Sequence, residues 1–247
     1  MNLTKHGLWA CLLWGMVSPA WAADAACGKA LNLAPVAVKL LGGGQIQTEV
    51  GAVPLLGLLR QLQQALPQGA QLQQLQVDDR QIQLTIHLTD RALTEPVLTE
   101  LATPWGLKPA PGVANEQSLV LHTSLVALAK TFDCGVAVGR GVTLRGFSDF
   151  ADALYRRVLR YDLSIHHYQA KAVIKAASMR VPSFYPAQFR VVGGWDELLK
   201  WLGDEIKQPY TSVAHGLQLR RLTDGQYELG FEFRLVGEPV VALVPKV

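Results

Sequence analysis

Three stretches of this chain repeat one pattern: a short strand, a glycine, then an amphipathic helix. They are Ile46–Leu66 (IQTEVGAVPLLGLLRQLQQAL), Val142–Leu159 (VTLRGFSDFADALYRRVL) and Phe189–Ile206 (FRVVGGWDELLKWLGDEI). Counted from Gly51, Gly146 and Gly194, the residues four and eight positions on are Leu55 and Leu59, Phe150 and Leu154, Leu198 and Leu202. These spacings lie on one helical stripe, so each helix should bury one face. After the first and third copies come paired alternating strands. A repeated strand–helix–strand unit of this size argues for small α+β modules, and for a scaffold more than a catalytic fold.

The hairpin after the first helix is the clearest local signal. Ile82, Leu84, Ile86 and Leu88 alternate with Gln81, Gln83, Thr85, His87 and Thr89. Leu72, Leu75 and Val77 precede them, and Asp78-Asp79 makes the turn, so one face is buried and one is wet. Arg91 to Trp105 is expected to be a second helix, with Pro96 in its first turn and Pro104 at its end. Ser118–Leu125 is a final strand. With strands at 35–41 and 45–50 the order is β-α-β-β-α-β, the split βαβ pattern. The second half offers helix 147–160, strands near 163–168 and 187–192, helix 195–207, and a hairpin with arms 213–222 and 227–236. Asp224-Gly225 is a strong hairpin turn. The expected fold is therefore α+β, with two tandem ferredoxin-like modules and antiparallel sheets at 28–128 and 135–237, and a tail at 238–247.

The N-terminus has the grammar of an export signal. Lys5 and His6 precede the apolar run Leu8–Val17, which is short for a membrane span of roughly 20 residues. Ser18-Pro19 breaks the run and Ala20-Trp21-Ala22 is an A-x-A cleavage site, so residues 1–22 are expected to be a cleaved signal peptide. The alternative is a retained membrane anchor. Of three cysteines, cleavage would leave Cys27 and Cys134. In an oxidising compartment these are expected to form one disulfide, with two free thiols as the alternative. A formal net charge of +3, with lysines and arginines scattered, carries no nucleic-acid footprint. Hydrophobic content of 49% is ample for a core.

No complete catalytic signature is present, and no cofactor or metal site is expected. His166-His167 invites a metal reading, but adjacent residues of a regular strand point to opposite faces. His87, His122 and His215 have no carboxylate or cysteine at ligand spacing. Gly139-Arg140-Gly141 lacks the Gly-Lys-Ser/Thr ending of a phosphate loop and is read as a connector. Cys134 has no evident activating partner. Asp196-Glu197 opens a helix, where acids suit the macrodipole. Two features remain. Glutamine is dense from Gln61 to Gln83, read as polar faces of helix and hairpin, or as a surface that meets a partner through uncharged hydrogen bonds. Trp195, Trp201 and Tyr210 are read first as core packing; the alternative, an exposed anchor, makes them the candidate partner surface.

The segment FRVVGGWDELLKWLGDEIKQPYTSVAHGLQLRRLTDGQYELGFEFRLV resembles the periplasmic domain of PilO-type pilus assembly proteins. ALPQGAQLQQLQVDDRQIQLTIHL is similar to the PilN type and to the L and M proteins of type II secretion. The resemblance covers about residues 45–125 and 187–236. Those families carry an N-terminal transmembrane helix followed by a coiled coil, where this chain is expected to carry a cleavable signal and no coiled coil. What the resemblance implies is a non-enzymatic periplasmic scaffold. Its partners would be other pilus or secretion assembly proteins of the inner membrane and periplasm, with a homodimer also allowed. The rivals are a ring-building or peptidoglycan-associated module, and an enzyme or small-molecule binder using the cleft between the halves.

Overall fold

A computed structural model describes residues 31–33, 38–40, 45–48, 53–78, 80–110, 117–132, 137–140, 143–175, 182–208 and 210–237. The expected signal segment, Cys27, Cys134 and the 238–247 tail lie outside the described residues.

Short strands β1 (Asn32–Leu33), β2 (Val38–Leu40), β3 (Gln45–Thr48) and β4 (Val53–Pro54) precede α1 (Leu55–Ala65). The hairpin β5 (Ala70–Val77) and β6 (Gln81–Leu88) follows. A helical run then joins a 3-10 turn (Arg91–Leu93), α2 (Thr94–Val97), a π turn (Leu98–Ala102) and α3 (Thr103–Trp105). β7 (Lys108–Pro109), β8 (Ser118–Ser124) and α4 (Leu125–Ala129) complete the first half. The second half holds β9 (Ala137–Arg140), α5 (Leu144–Leu159), β10 (Ser164–Ala170), β11 (Ser183–Gly193), α6 (Trp195–Glu205), β12 (Ser212–Arg221) and β13 (Tyr227–Gly237).

Local chemistry sets the boundaries. Thr143 caps α5, its Oγ1 accepting from Gly146 N at 3.1 Å. In the β5–β6 turn the Asp78 carboxylate accepts from Arg80 N and Gln81 N, at 2.8 and 2.7 Å. These bonds, the one to Arg80 first, hold its pKa below the ordinary value. The β12–β13 turn closes on Gly225 at φ +86°, a conformation glycine adopts without strain. Pro104 stands in the last turn of the helical run, which ends at Trp105 with Gly106 as its left-handed cap. The π turn widens the helix just before it, where the ring would otherwise meet the carbonyl four residues back.

The fold is α+β with a largely antiparallel sheet. Its main path runs β10-β11-β13-β12-β5-β6-β8-β7. Each half therefore supplies helix–strand–strand twice, with its four strands ordered first, second, fourth, third. The two ferredoxin-like modules are not shown by this order. A split βαβ needs the strand before the helix to enter the same sheet as the hairpin. Instead β3 and β9 pair with each other, Gln45 opposite Arg140, in a separate sheet with β2, and β4, directly before α1, reaches the main sheet only through β1, which pairs with β12. The place beside β6 is taken by β8, and the place beside β11 by β13.

The halves at 28–128 and 135–237 are not separate bodies either. β12 pairs with β5, with Leu219 opposite Leu75 and Gln218 opposite Gln76. β1 runs parallel to the start of β12, and Leu31 N donates to Ser212 Oγ at 2.8 Å. α1 and α6 lie side by side over this joint. One connected core spans it, from Leu55, Leu59, Ile82 and Leu121 to Leu154, Leu198, Trp201 and Leu229. At roughly 1.5–3 kcal/mol per buried aliphatic side chain, this shared core supplies the main cohesion between halves. Among the described residues no helix is long and apolar enough to cross a membrane.

Candidate functional surface

Trp195, Trp201 and Tyr210, the candidate partner surface, do not form an exposed one. Trp201 is fully buried, 0% exposed, on the stripe of Leu198 and Leu202. Its ring centre lies 5.7 Å from that of Phe189. Its Nε1 donates to Glu205 Oε1 at 3.1 Å, and Arg157 grips the same carboxylate with Nε and Nη2 at 2.7 and 3.0 Å. Arg157 Nη2 also donates to the Tyr210 hydroxyl at 2.7 Å, so Tyr210 is half-buried and committed to this cluster. Burial raises the Glu205 pKa, with Arg157 and Trp201 pulling the other way. Burial and then the Glu205 charge raise Tyr210. The cluster ties α5 to α6. Trp195 is half-buried edge-on to Tyr227, ring centres 4.9 Å apart. It borders a groove of about 510 Å³ at the joint, with Pro67, Gln71 and Arg221. An arginine at Trp201 would bury a charge and unfold the region rather than probe a surface.

Helices cover one face of the sheet, and the other face is polar. A single row of directly opposed residues crosses all eight strands of the main path: His167, Arg190, Gly230, Gln218, Gln76, Gln83, His122 and Lys108. It contains no carboxylate. The glutamines of the hairpin, Gln74, Gln76, Gln81 and Gln83, are the exposed side of the alternation.

In the second half this face dips into a trough of about 500 Å³. Gly230 and Gly216 leave its floor without side chains, and Gly216 sits at φ +59° in an irregularity of β12. Two carboxylates are each bracketed by two cations. Glu228 lies 2.9 Å from Arg220 and 3.9 Å from Arg190. Glu232 contacts Lys171 and, at 2.6 Å, Arg234. Burial acts to raise the Glu232 pKa, but these two cations outweigh it and the pKa is lowered. His166 and His167 both line the trough. Strict alternation would separate them, but β10 carries a bulge between Ile165 and His167 that turns them the same way. Among the described residues no group of three or more His, Cys, Asp or Glu is placed to hold a metal ion.

The two ends of the sheet differ. At one end β7 is two residues long, a lysine and a proline, which suits a blunted edge. At the other, β10 pairs with β11 alone among the described residues. The chain continues along β11 past β10, with Lys171 N donating to Pro186 O at 2.9 Å and Ile174 bridged to Phe184. Above this edge lies α5. Phe150, Leu154 and Val158 face the sheet, and Arg157 lies on the flank turned to α6. Tyr155 and Leu159, one turn apart, lie on the opposite flank. Asp152 shares that flank; after burial, its charge is the second cause raising the Tyr168 hydroxyl of β10. Tyr155 is 49% exposed, Leu159 51% and Ile174 44%. Of the large hydrophobics exposed among the described residues, only Val126 lies elsewhere.

Comparison with protein-family models, curated proteins and solved structures gives no significant match to this chain. The surface must therefore be interpreted from its own chemistry. The apolar edge was missed in the sequence, although its signal was there: Tyr155 and Leu159 are an i, i+4 pair off the stripe of Phe150 and Leu154.

Proposed function

We propose that this chain is a non-enzymatic assembly component of a type IV pilus or type II secretion-like envelope machine. It is exported through its N-terminal signal, works in the periplasm and acts through protein–protein contacts. The observation that carries this reading is the edge of β10 that no described strand pairs with, beneath the exposed Tyr155 and Leu159 of α5. A strand with unused backbone donors and acceptors, flanked by apolar side chains, is a template for strand addition. The pattern-level resemblance to PilN- and PilO-type proteins supports the same class and supplies the partners: inner-membrane and periplasmic assembly proteins. The buried polar cluster of Arg157, Glu205, Trp201 and Tyr210 has its hydrogen bonds spent on joining helices, so its perturbed groups need no catalytic role.

A second reading, a small-molecule binder, is favoured by the trough that brings His166 and His167 beside Arg190 and Arg220. Crosslinking in living cells followed by affinity purification separates the two. The assembly reading expects pilus or secretion proteins of the inner membrane among the crosslinked species. Recovery of none, with piliation and secretion unchanged in a strain lacking the chain, would remove it.

A further inference from the structure

We propose that the trough on the polar face of the second half is a binding site for a hydroxyl-rich anion, a sugar acid or a sugar phosphate, gripped by Arg190 and Arg220. This gives a ligand class to the small-molecule reading of the trough and rests on that reading. The site lies on the face of the sheet, so it leaves the edge of β10 to assembly partners.

Gly230 is the first pointer. It stands inside β13, opposite Arg190 on one side and Gln218 on the other. Glycine weakens a strand interior, and the usual reasons for it do not hold here. Gly230 is not among the glycines with positive φ. An added Cβ would meet nothing nearer than Arg190 Nε at 3.8 Å. What the glycine provides is room above the backbone, the mark of a strand that something approaches closely. Gly216 extends that room across β12, at a bulge that opens the trough.

The charges around this floor form two tiers. Glu228 is recessed, its side chain 13% exposed, while those of Arg190 and Arg220 are 53% and 60% exposed. Both arginines turn Nε to the same oxygen, Glu228 Oε1, at 3.9 and 2.9 Å. The shared carboxylate therefore holds two guanidiniums close enough for one oxyanion to touch both. Arg220 spends its Nε–H on that oxygen. The terminal nitrogens of each fork carry the remaining donors, whose geometry suits a carboxylate or a phosphate. Two cations over one carboxylate leave an excess of positive charge, and Lys171 and Arg234 leave another around Glu232. The trough thus favours an anion over a cation.

The rest of the lining defines the rest of the ligand. Gln188, Gln218, His166 and His167 present amides and imidazoles, which both donate and accept. The two phenylalanines of the lining, Phe189 and Phe231, are buried, and Phe189 packs against Trp201 on the core side. An acyl chain or an aromatic ring would find no apolar wall, whereas hydroxyls find hydrogen-bond partners on both sides. A volume of about 500 Å³ suits a molecule of one or two sugar rings.

Titration calorimetry of the purified chain at neutral pH, with glucose 6-phosphate, glucuronate, glucose and inorganic phosphate, tests the inference. At least one of the two sugar anions should bind about tenfold or more tightly than both glucose and inorganic phosphate, and which one it is tells phosphate from carboxylate. Arg220→Gln should weaken that binding by about 10- to 100-fold, the worth of a charge-assisted hydrogen bond. Gly230→Val should abolish it without lowering the urea midpoint of unfolding, since the Cβ has room and valine favours a strand. Lys200→Gln removes one positive charge from α6, on the other side of the sheet, and should leave binding unchanged. Failure of both sugar anions to bind would overturn the inference. So would binding indifferent to both Arg220→Gln and Gly230→Val, or inorganic phosphate bound as tightly as the sugar anions. Glucose bound as tightly as they are would overturn the anion class and leave the small-molecule reading standing.

Discussion

Replacing Arg157 by leucine is expected to destabilise the folded chain by about 3–5 kcal/mol, the usual cost of removing one partner from a buried ion pair. Glu205 is 1% exposed and, among the described residues, would be left with only the Trp201 N–H. The Tyr210 hydroxyl would also lose its donor. The sign of the pH dependence follows from the raised Glu205 pKa. A carboxyl that holds its proton more tightly when folded loses stability as pH rises from the unfolded value through the folded one. Without Arg157 the folded value rises further, so the deficit of Arg157→Leu should shrink in acid. Adding Glu205→Gln should recover part of it at neutral pH and abolish that pH dependence. Urea unfolding at neutral and acidic pH would show this. A deficit below about 1 kcal/mol, the range of an exposed pair, would mean that the cluster is not holding α5 to α6.

The joint between the halves should be the second most sensitive place. Leu75 and Leu219 face each other across β5 and β12, and both are 0% exposed. Truncating either to alanine should cost about 2–5 kcal/mol, since the rigid sheet cannot collapse onto the space. Because one core serves both halves, the loss should appear in a single unfolding transition followed equally by Trp105 in the first half and Trp201 in the second. Two separate transitions, with only one moved, would show that the β12–β5 pairing does not couple them.

The elements themselves were legible. Leu55 and Leu59, Phe150 and Leu154, Leu198 and Leu202 are all buried, as their helical spacing demanded. The alternation of Ile82 to Leu88 and of Leu229 to Leu235 gives the buried faces of β6 and β13. What alternation cannot give is a strand's neighbour. It fixes which side chains point inward, and many pairings satisfy that. Hence the pairing of β12 with β5, and the removal of β3 and β9 to a sheet of their own, were out of reach. Trp201 is a different case. It stands three residues after Leu198 and four before Glu205, squarely on the buried stripe, so core packing, not an exposed anchor, is what its position dictates. The facing of His166 and His167 was hidden for a physical reason. A single-residue bulge reverses the rule by which neighbours alternate, and no residue at that point announces it.

The central claim is that this chain acts through a surface and not through a reactive group. Complementation of a strain lacking the chain puts that claim to one direct test, with Leu159→Arg beside the double variant His166→Ala, His167→Ala, each checked for normal folding and abundance. The account predicts that the histidine variant restores function fully and the arginine variant does not. Full function with Leu159→Arg, together with loss in the histidine variant, would contradict it and move the function to the trough.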